Sequence, residues 1–310
     1  MKILLLGKDG QLGRELQTAL AAGLAAPHSL TPHSLIVCGR AHADLADAAA
    51  LRALVARHAP DVLVNAAAYT AVERAESEPE LAMQVNAVAP AVLAEEMARR
   101  GGTLVHYSTD YVFDGSKSGA WTEADRPVPL NQYGRSKLAG ERAIADSGCR
   151  HLIFRTSWVY GRHGANFVKT MLRLARERDT LRVVADQFGA PTSATLIADI
   201  TARAVQALHG TPGPAAQRGG LFHLAAGGVT NWHAYAAFLI ESATALGMAL
   251  RVTADRVQPI ASSDYPVAAR RPANSRLATG KLCAAFGVTM PDWRDGVRDM
   301  LEQLHSAGET

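Results

Sequence analysis

The sequence predicts an α/β protein with a doubly wound parallel sheet and a smaller, irregular C-terminal lobe. Short, nearly continuous apolar runs alternate with helical stretches up to about residue 209, and such runs are typical of parallel strands covered on both faces. A glycine-rich turn follows the first run directly, as in sheets that bind a dinucleotide. After a stretch rich in glycine and proline at residues 210–220, the alternation becomes irregular.

The predicted elements follow in chain order from apolar runs, helical periodicity and turn residues. Strands are predicted at residues 1–6, 35–38, 61–68, 103–108, 152–155, 181–184 and 221–224, the third running into a small-residue turn. Helices are predicted at residues 14–20, 48–58, 80–100, 166–178, 232–246 and 293–304, the third interrupted near Pro90. Residues 21–35 are predicted as a loop. The result is a Rossmann-type sheet, whose ligands bind at the C-terminal ends of the strands.

Length and composition describe an ordinary globular protein. The 310 residues are enough for roughly two domains. The net charge of +3 gives no argument for binding nucleic acid or a membrane surface, and no segment approaches 18 apolar residues. The three cysteines have no C-x-x-C spacing, which argues against a disulfide framework or a thiolate metal site. We therefore expect a cytoplasmic protein.

Gly7, Gly10 and Gly13 form a turn between the first strand and the first helix. Glycines let the backbone approach a pyrophosphate, and the N-terminus of the helix presents free N–H groups. The spacing is G-x-x-G-x-x-G, whereas the strict dinucleotide motif is G-x-G-x-x-G. The alternative is a turn without a ligand, but its position favours dinucleotide binding.

Tyr133 and Lys137 are four residues apart on a predicted helix, so both side chains lie on one face. A tyrosine hydroxyl ordinarily titrates near pH ~10, and a nearby ammonium favours the phenolate. The pair can therefore exchange a proton with a bound molecule. The alternative is a chance spacing, which short motifs always allow.

Thr109 follows the fourth strand and lies at the strand end closest in sequence to Tyr133. Its hydroxyl can stabilise a carbonyl oxygen whose charge grows during hydride attack. The alternative is a hydroxyl that only caps the strand. Ala66, Ala67 and Ala68 could be packing residues, but their small size would also let the backbone approach a cofactor.

These features resemble the extended short-chain dehydrogenase/reductase superfamily, with its glycine turn, hydroxyl residue and Y-x-x-x-K pair. The chain further resembles the dTDP-4-dehydrorhamnose reductase family over nearly its whole length. The segments that carry this resemblance are G-K-D-G-Q-L-G (7–13), V-N-A-A-A-Y-T-A-V-E-R-A-E-S-E-P-E (64–80), H-Y-S-T-D-Y-V-F (106–113), Y-G-R-S-K-L-A-G-E (133–141), F-R-T-S-W-V-Y (154–160), D-Q-F-G-A-P-T (186–192) and R-P-A-N-S-R-L (271–277).

The resemblance implies roles for individual residues. Tyr133 would donate the proton to the sugar C4 oxygen, Lys137 would lower its pKa and bind ribose, and Thr109 would complete the catalytic set. Residues expected to contact the cofactor are Gly7, Gly10, Gln11, Leu12, Gly13, Arg40, Asp44, Leu45, Ala66, Ala67, Ala68, Tyr133 and Lys137. Those expected to contact the sugar nucleotide are Thr109, Asp110, Tyr111 and Trp158.

The resemblance also implies two lobes and a partner. Residues 1–154 and about 176–208 would bind the dinucleotide, and about 155–175 and 209–310 the dTDP-sugar. Some relatives form a magnesium-linked dimer through two glutamates. Glu15 is present, but Thr195 occupies the second acidic position, so Mg²⁺ is doubtful. Monomer and homodimer both stay open.

The choice of cofactor and two other functions stay open. NAD-selective sites have a carboxylate at the end of the second strand, but here Arg40 follows that strand and the first carboxylate is Asp44. Arg40 could pair with a 2′-phosphate or be a solvated loop residue, so we expect NADPH to be used at least as well as NADH. The alternative functions are a sugar-nucleotide epimerase or dehydratase that retains NAD, and a non-catalytic regulatory subunit of methionine adenosyltransferase.

Overall fold

The computed structural model describes residues 1–24, 34–209 and 219–308. Its strands are β1 (Lys2–Leu6), β2 (Ser34–Cys38), β3 (Val62–Asn65), β4 (Thr103–Thr109), β5 (Arg150–Thr156), β6 (Val159–Tyr160), β7 (Leu181–Val184), β8 (Phe188–Gly189), β9 (Thr192–Ser193), β10 (Gly220–His223), β11 (Thr230–Asn231) and β12 (Val257–Ile260). Its α-helices are α1 (Gln11–Leu24), α2 (Ala48–His58), α3 (Val72–Ala75), α4 (Pro79–Met83), α5 (Ala89–Arg99), α6 (Gln132–Asp146), α7 (Phe167–Glu177), α8 (Ala194–His209), α9 (Trp232–Ala245), α10 (Gly280–Phe286) and α11 (Trp293–Ser306).

Six strands form the central sheet, in the order β10–β5–β4–β3–β1–β2, and every neighbouring pair is parallel. The chain moves outward from β1 to β2 and then returns to the other side of β1 for β3. This reversal leaves a crevice beyond the C-terminal ends of β1 and β3, which is where open α/β sheets bind ligands.

Two apolar cores cover the faces of this sheet. On one face, Leu16 of α1 and Ile197 of α8 pack with buried strand residues such as Leu5. On the other face, Leu51 of α2 and Leu93 of α5 pack against the sheet. The near-continuous apolar strands are therefore buried on both sides, and the predicted doubly wound sheet is confirmed.

Most predicted elements agree with the structure to within a few residues. The predicted helix at 80–100 is interrupted just before Pro90, where a π-helical turn at Gln84–Val88 joins α4 to α5. The predicted loop at 21–35 begins too early, because α1 continues to Leu24, and its residues 25–33 lie outside the described residues. Helices α8 and α10 had no counterpart in the prediction, and residues 210–218 of the linker also lie outside the described residues.

A third core belongs to the smaller lobe, where α7, α9 and α11 pack together with β7. The parallel pair β7–β12 and the short pairs β6–β9 and β8–β11 complete this lobe. By contrast, Phe222 of β10 and Leu282 of α10 pack into the core of the central sheet. We therefore propose that 181–184 belongs to the smaller lobe and that 220–223 and 280–286 belong to the dinucleotide lobe.

Within the described residues, every helix is too short or too polar to cross a membrane.

Candidate active site

A cleft of about 1090 Å³ lies at the C-terminal ends of β1, β3, β4 and β5 and extends toward the smaller lobe. It brings together nearly all of the site residues that were predicted from the sequence. Those that line it are Gly7, Gly10, Gln11, Leu12, Arg40, Asp44, Leu45, Ala66, Ala67, Ala68, Thr109, Asp110, Tyr111, Tyr133, Lys137 and Trp158. Gly13 and Glu15 are not part of the cleft wall.

The glycine turn brings α1 very close to β1. Gly7 has a positive φ of 84°, and a Cβ built on Gly13 would lie 1.9 Å from the Gly7 carbonyl oxygen. Gly13 therefore allows the close approach of helix and turn. Helix α1 then begins at Gln11 with no acidic residue in its first turn, so its N-terminal N–H groups are available to an anion.

Helix α6 positions the tyrosine and the lysine. Its N-cap, Asn131, accepts a hydrogen bond from the Gly134 N–H at 2.8 Å and donates to the Arg270 carbonyl at 2.8 Å. A Cβ on Gly134 would lie 2.1 Å from the Tyr111 carbonyl oxygen, so a larger residue would push α6 away from the turn that follows β4. The capping residue and the glycine together place Tyr133 beside Tyr111, with ring centroids 5.8 Å apart in an edge-to-face arrangement.

Tyr133 is held in its protonated form. Burial, and then the charge of Asp110, raise the pKa of the Tyr133 hydroxyl to about 12, and a hydrogen bond with Thr109 acts in the opposite direction. In the unliganded protein the tyrosine is therefore a proton donor at neutral pH. Lys137 is not among the causes of this pKa, so its predicted lowering of the pKa of Tyr133 stays a prediction.

Thr109 and Asp110 form a buried polar pair at the end of β4. The Thr109 hydroxyl donates to Asp110 Oδ1 at 3.1 Å and accepts from the Tyr111 N–H at 3.1 Å. Burial raises the pKa of the Asp110 carboxyl to about 7, against hydrogen bonds from Ser275 and Thr109 that lower it. Asp110 can therefore change its charge near neutral pH.

Lys137 is 2% exposed, and burial lowers the pKa of its ammonium to about 8. The charge of Glu141, one turn further along α6, acts to raise it. Glu141, however, is engaged by Arg155 of β5, which donates to its two oxygens at 2.8 and 2.6 Å. With a pKa of about 8, Lys137 can gain or lose a proton near neutral pH.

Trp158 lies in the wall of the cleft that the smaller lobe provides. It has a positive φ of 49°, which is rare for a bulky residue and is typically found at functional sites. Its ring stacks on Trp232 with centroids 3.7 Å apart, and a Cβ on Gly189 would lie 2.8 Å from the indole. The indole is therefore held in place by residues of the smaller lobe.

The opposite end of the cleft is open. Arg40 Nε lies 3.7 Å from Asp44 Oδ2, and the two side chains are 84% and 46% exposed. Leu45, next to this pair, is buried. An exposed guanidinium at this position is able to reach a phosphate that enters the cleft.

A second cavity of about 530 Å³ adjoins the cleft, and Phe167, Trp232 and Arg271 line both. Arg182 and Arg270 also line it, so three guanidiniums surround an aromatic wall. Arg271 is held by Glu73 of α3, with Nη2 and Oε1 2.8 Å apart. The combination suits a ligand that carries both negative charge and a planar ring.

Glu15 does not belong to a metal site in the part of the chain that the structure describes. The Thr195 hydroxyl donates to Glu15 Oε2 at 3.3 Å. Among the described residues, no group of three or more His, Cys, Asp or Glu residues is arranged to hold a metal ion. These residues do not fit Mg²⁺, and we assign it no step.

The comparison with known proteins agrees with this geometry. The family model described as "RmlD substrate binding domain" matches residues 1–306. A dTDP-4-dehydrorhamnose reductase of Shigella flexneri is 48% identical over 304 residues, 98% of either chain. The chain belongs to the dTDP-4-dehydrorhamnose reductase family.

Solved structures of this family share the fold of the whole chain. The dTDP-4-dehydrorhamnose reductase of Clostridium acetobutylicum has a TM-score of 0.87 at 31% identity, covering 98% of this chain and 100% of its own. That of Bacillus anthracis, solved in complex with NADP, has a TM-score of 0.84 at 30% identity, covering 97% and 99%. The extended Rossmann-type architecture is therefore that of the dTDP-4-dehydrorhamnose reductase family.

Sequence reasoning missed several residues of the cleft. Asn166 caps α7 and donates to Gln11 Oε1 at 2.9 Å, which ties the smaller lobe to the glycine turn. Trp232 lies outside the motifs quoted above, and Arg271 lies in one of them, R-P-A-N-S-R-L, without having been assigned to the site; both reach the cleft through tertiary packing. His106, which lies outside the cleft wall, could have been noticed as an ionisable residue within a buried strand.

Proposed function

We propose that the protein reduces the C4 ketone of dTDP-4-dehydro-L-rhamnose to dTDP-L-rhamnose, with hydride from NADPH or NADH, in dTDP-rhamnose biosynthesis for cell-surface polysaccharide. One observation carries the proposal: a protonated tyrosine, a buried hydroxyl and a glycine turn open to an anion line the same cleft. Membership of the dTDP-4-dehydrorhamnose reductase family supports the choice of substrate.

The dinucleotide would bind from the glycine turn to Lys137. A Cβ on Gly10 would meet only the Gly7 carbonyl oxygen, at 3.5 Å, which supports an approach of phosphate to this backbone. The free N-terminus of α1 would stabilise the pyrophosphate charge, and Arg40 would reach a 2′-phosphate. Ala66, Ala67 and Ala68 would line the cofactor with little bulk.

The bound nicotinamide supplies the hydride, and the protein supplies the proton. Tyr133 would donate its hydroxyl proton to the sugar C4 oxygen, because its raised pKa keeps it protonated until an alkoxide develops. Thr109 would donate a hydrogen bond to the same oxygen and stabilise its growing charge. The ammonium of Lys137 would stabilise the phenolate that Tyr133 becomes.

The sugar nucleotide would lie across the junction of the two cavities. Asp110, Tyr111 and Trp158 would contact the sugar, since they line the cleft on the side of Tyr133. Arg182, Arg270 and Arg271 would neutralise the diphosphate, and Phe167 would pack against the base. The stacked indoles of Trp158 and Trp232 would form an aromatic wall beside the sugar.

The test is a reduction assay with dTDP-4-dehydro-L-rhamnose and each reduced cofactor in turn. We expect one NADPH or NADH to be oxidised for each dTDP-L-rhamnose formed. Absence of net oxidation would contradict the proposal.

Two specific outcomes would identify the alternatives instead. Protein that purifies with bound NAD and converts sugar nucleotides without net oxidation would be an epimerase or dehydratase. Protein that oxidises no cofactor but changes the activity of a methionine adenosyltransferase would be a regulatory subunit.

A further inference from the structure

A row of buried polar side chains leads from β3 through β4 to Lys137. Asn65, the last residue of β3, and His106, in the middle of β4, are register partners, and each is 1% exposed. Asn65 Nδ2 lies 3.3 Å from His106 Nδ1, and His106 Nε2 lies 3.4 Å from Lys137 Nζ. Neither Asn65 nor His106 lines the cleft, whereas Lys137 does, so the two residues contact the lysine from the protein interior.

The hydrogen-bond partners determine which nitrogen of His106 carries the proton. The backbone N–H of Ala67 donates to the Asn65 side chain at 3.2 Å, so the atom facing it must be the amide oxygen. The amide nitrogen of Asn65 then faces His106 Nδ1 as a donor, and Nδ1 must accept. Burial and the charge of Lys137 lower the pKa of His106 well below its usual value, so the ring is neutral and its proton is on Nε2.

The Nε2–H of His106 therefore points toward Lys137 Nζ. An ammonium has only donors, whereas a neutral amine has a lone pair that can accept this N–H. The other ionisable groups around Lys137 are Tyr133 and Glu141 on α6, and Arg155 on β5, which is paired with Glu141. Among the described residues, no carboxylate lies within ion-pair distance of Lys137 Nζ to oppose the effect of His106.

We propose that Asn65 and His106 are positioning residues for Lys137: Asn65 fixes the imidazole with its proton on Nε2, and this N–H favours the neutral amine of Lys137. The arrangement gives the lysine a proton that it can release near neutral pH. Nothing in the roles expected of Tyr133, Lys137 and Thr109 requires this pair.

The consequence for the reaction rests on the proposed function. When Tyr133 gives its proton to the sugar oxygen, a phenolate remains beside the Lys137 ammonium. Transfer of one proton from this ammonium restores the phenol and leaves an amine, which accepts the His106 N–H. A proton from water then restores the ammonium, so each turnover consumes one hydride and one proton.

The test is an NMR titration of the unliganded protein, which needs neither cofactor nor activity. The chain has six lysines, so the signals of lysine labelled at Cε are few, and Lys137→Met assigns the one of interest. We expect Lys137 to titrate near pH 8, as its buried position implies, and His106 to have the nitrogen shifts of the Nε2–H form. A His106 ring with its proton on Nδ1 would overturn the proposal.

The Asn65→Asp substitution should reverse the direction of the hydrogen bonds from residue 65 through His106 to Lys137. A carboxylate still accepts the Ala67 N–H, but it also accepts from His106 Nδ1, so the Nε2 lone pair now faces Lys137 and favours the ammonium. We expect the titration midpoint of Lys137 to rise by about one pH unit or more, together with a change of His106 to the Nδ1–H form.

His106→Phe separates this effect from that of the added charge. In the Asn65→Asp/His106→Phe variant the new carboxylate remains, but the imidazole that connects it to Lys137 is gone. We expect Asn65→Asp to raise the Lys137 midpoint much less in this background than in the wild type. An equal rise in both would mean that charge alone acts, and would overturn the proposal. Because reduction is not measured, failure here is distinct from failure of the proposed function.

Discussion

The two ends of the cleft hold their charged groups in opposite ways. Around Tyr133, the partner side chains Thr109, Asp110 and Lys137 are 5%, 3% and 2% exposed. At the other end, the side chains of Arg40 and Asp44 are 84% and 46% exposed and belong to an ion pair 3.7 Å long. Burial strengthens electrostatic effects because little water is present to screen them, whereas an exposed pair contributes little.

This difference in burial assigns the two ends of the cleft to different tasks: proton transfer at the buried end and selection of the cofactor at the exposed end. In the buried group, Tyr133, Asp110 and Lys137 have pKa values of about 12, 7 and 8, each displaced mainly by burial. Such displacements are typical of groups that transfer protons or bind a reacting centre. The exposed pair can distinguish NADPH from NADH only modestly. We therefore expect effects of very different size from substitutions at the two ends.

The largest effect is expected at Tyr133. Tyr133→Phe removes the hydroxyl that donates the proton but keeps the ring that packs against Tyr111. Because general acid catalysis contributes typically 10²–10⁴-fold, kcat for the keto sugar should fall by this order while the Kd for NADPH changes little. Steady-state kinetics and cofactor titration measure the two quantities. A loss of kcat below about threefold in folded protein would remove Tyr133 from the mechanism.

An intermediate effect is expected at Asp110 and appears as a pH dependence of stability. The pKa of Asp110 is raised from its ordinary value of 3.8 to about 7, so the folded state binds this proton more tightly than the unfolded state. The free energy of unfolding should then fall as the pH rises from about 4 to about 7, and Asp110→Asn should remove this fall.

Urea unfolding of the unliganded protein at pH 5 and pH 8 measures this difference. The gain in stability of Asp110→Asn over the wild type should be larger at pH 8 than at pH 5 by roughly 1–3 kcal/mol. Asp146→Asn, which removes an exposed carboxylate near the end of α6, is the matched control. If Asp110→Asn changed the free energy of unfolding by the same amount at both pH values, the pKa of Asp110 would not be raised by burial.

The smallest effect is expected at Arg40. Arg40→Ala should raise the KM for NADPH by roughly two- to fivefold and leave that for NADH unchanged, because a screened surface charge contributes about 1 kcal/mol or less. The effect should shrink at high salt. Arg57→Ala, at an exposed arginine of α2 outside the cleft, controls for the loss of a surface charge.

Wild-type kcat/KM values give an independent check of this end of the cleft. We expect NADPH to be used at least as well as NADH. A tenfold or greater preference for NADH, about 1.4 kcal/mol, would contradict the expected role of Arg40.

The features predicted from the sequence are those that depend on neighbours along the chain. The three-residue spacing of Gly7, Gly10 and Gly13 and the four-residue spacing of Tyr133 and Lys137 are local, and the helix and turn that they imply are present. The apolar runs predicted the buried strands for the same reason, since alternation and length can be read over a few residues.

The features that sequence could not predict join distant residues. Asn131 donates to the Arg270 carbonyl 139 residues away, and Arg271 pairs with Glu73 across 198 residues. These contacts hold the smaller lobe against the cleft, and they depend on how the lobes pack rather than on any short motif. The contact between His106 and Lys137 likewise needs β4 and α6 to be in place.

Transfer of deuterium tests most directly whether this cleft reduces the sugar at C4. The measurement uses NADPH deuterated on one or the other face of nicotinamide C4, with dTDP-4-dehydro-L-rhamnose as the acceptor and NMR or mass analysis of the product. We predict one deuterium at sugar C4 for each cofactor oxidised with one of the two labelled forms, and the same product formed 10²–10⁴ times more slowly by Tyr133→Phe. A sugar product without deuterium at C4 from either form, or a cofactor that stays reduced, would contradict the account.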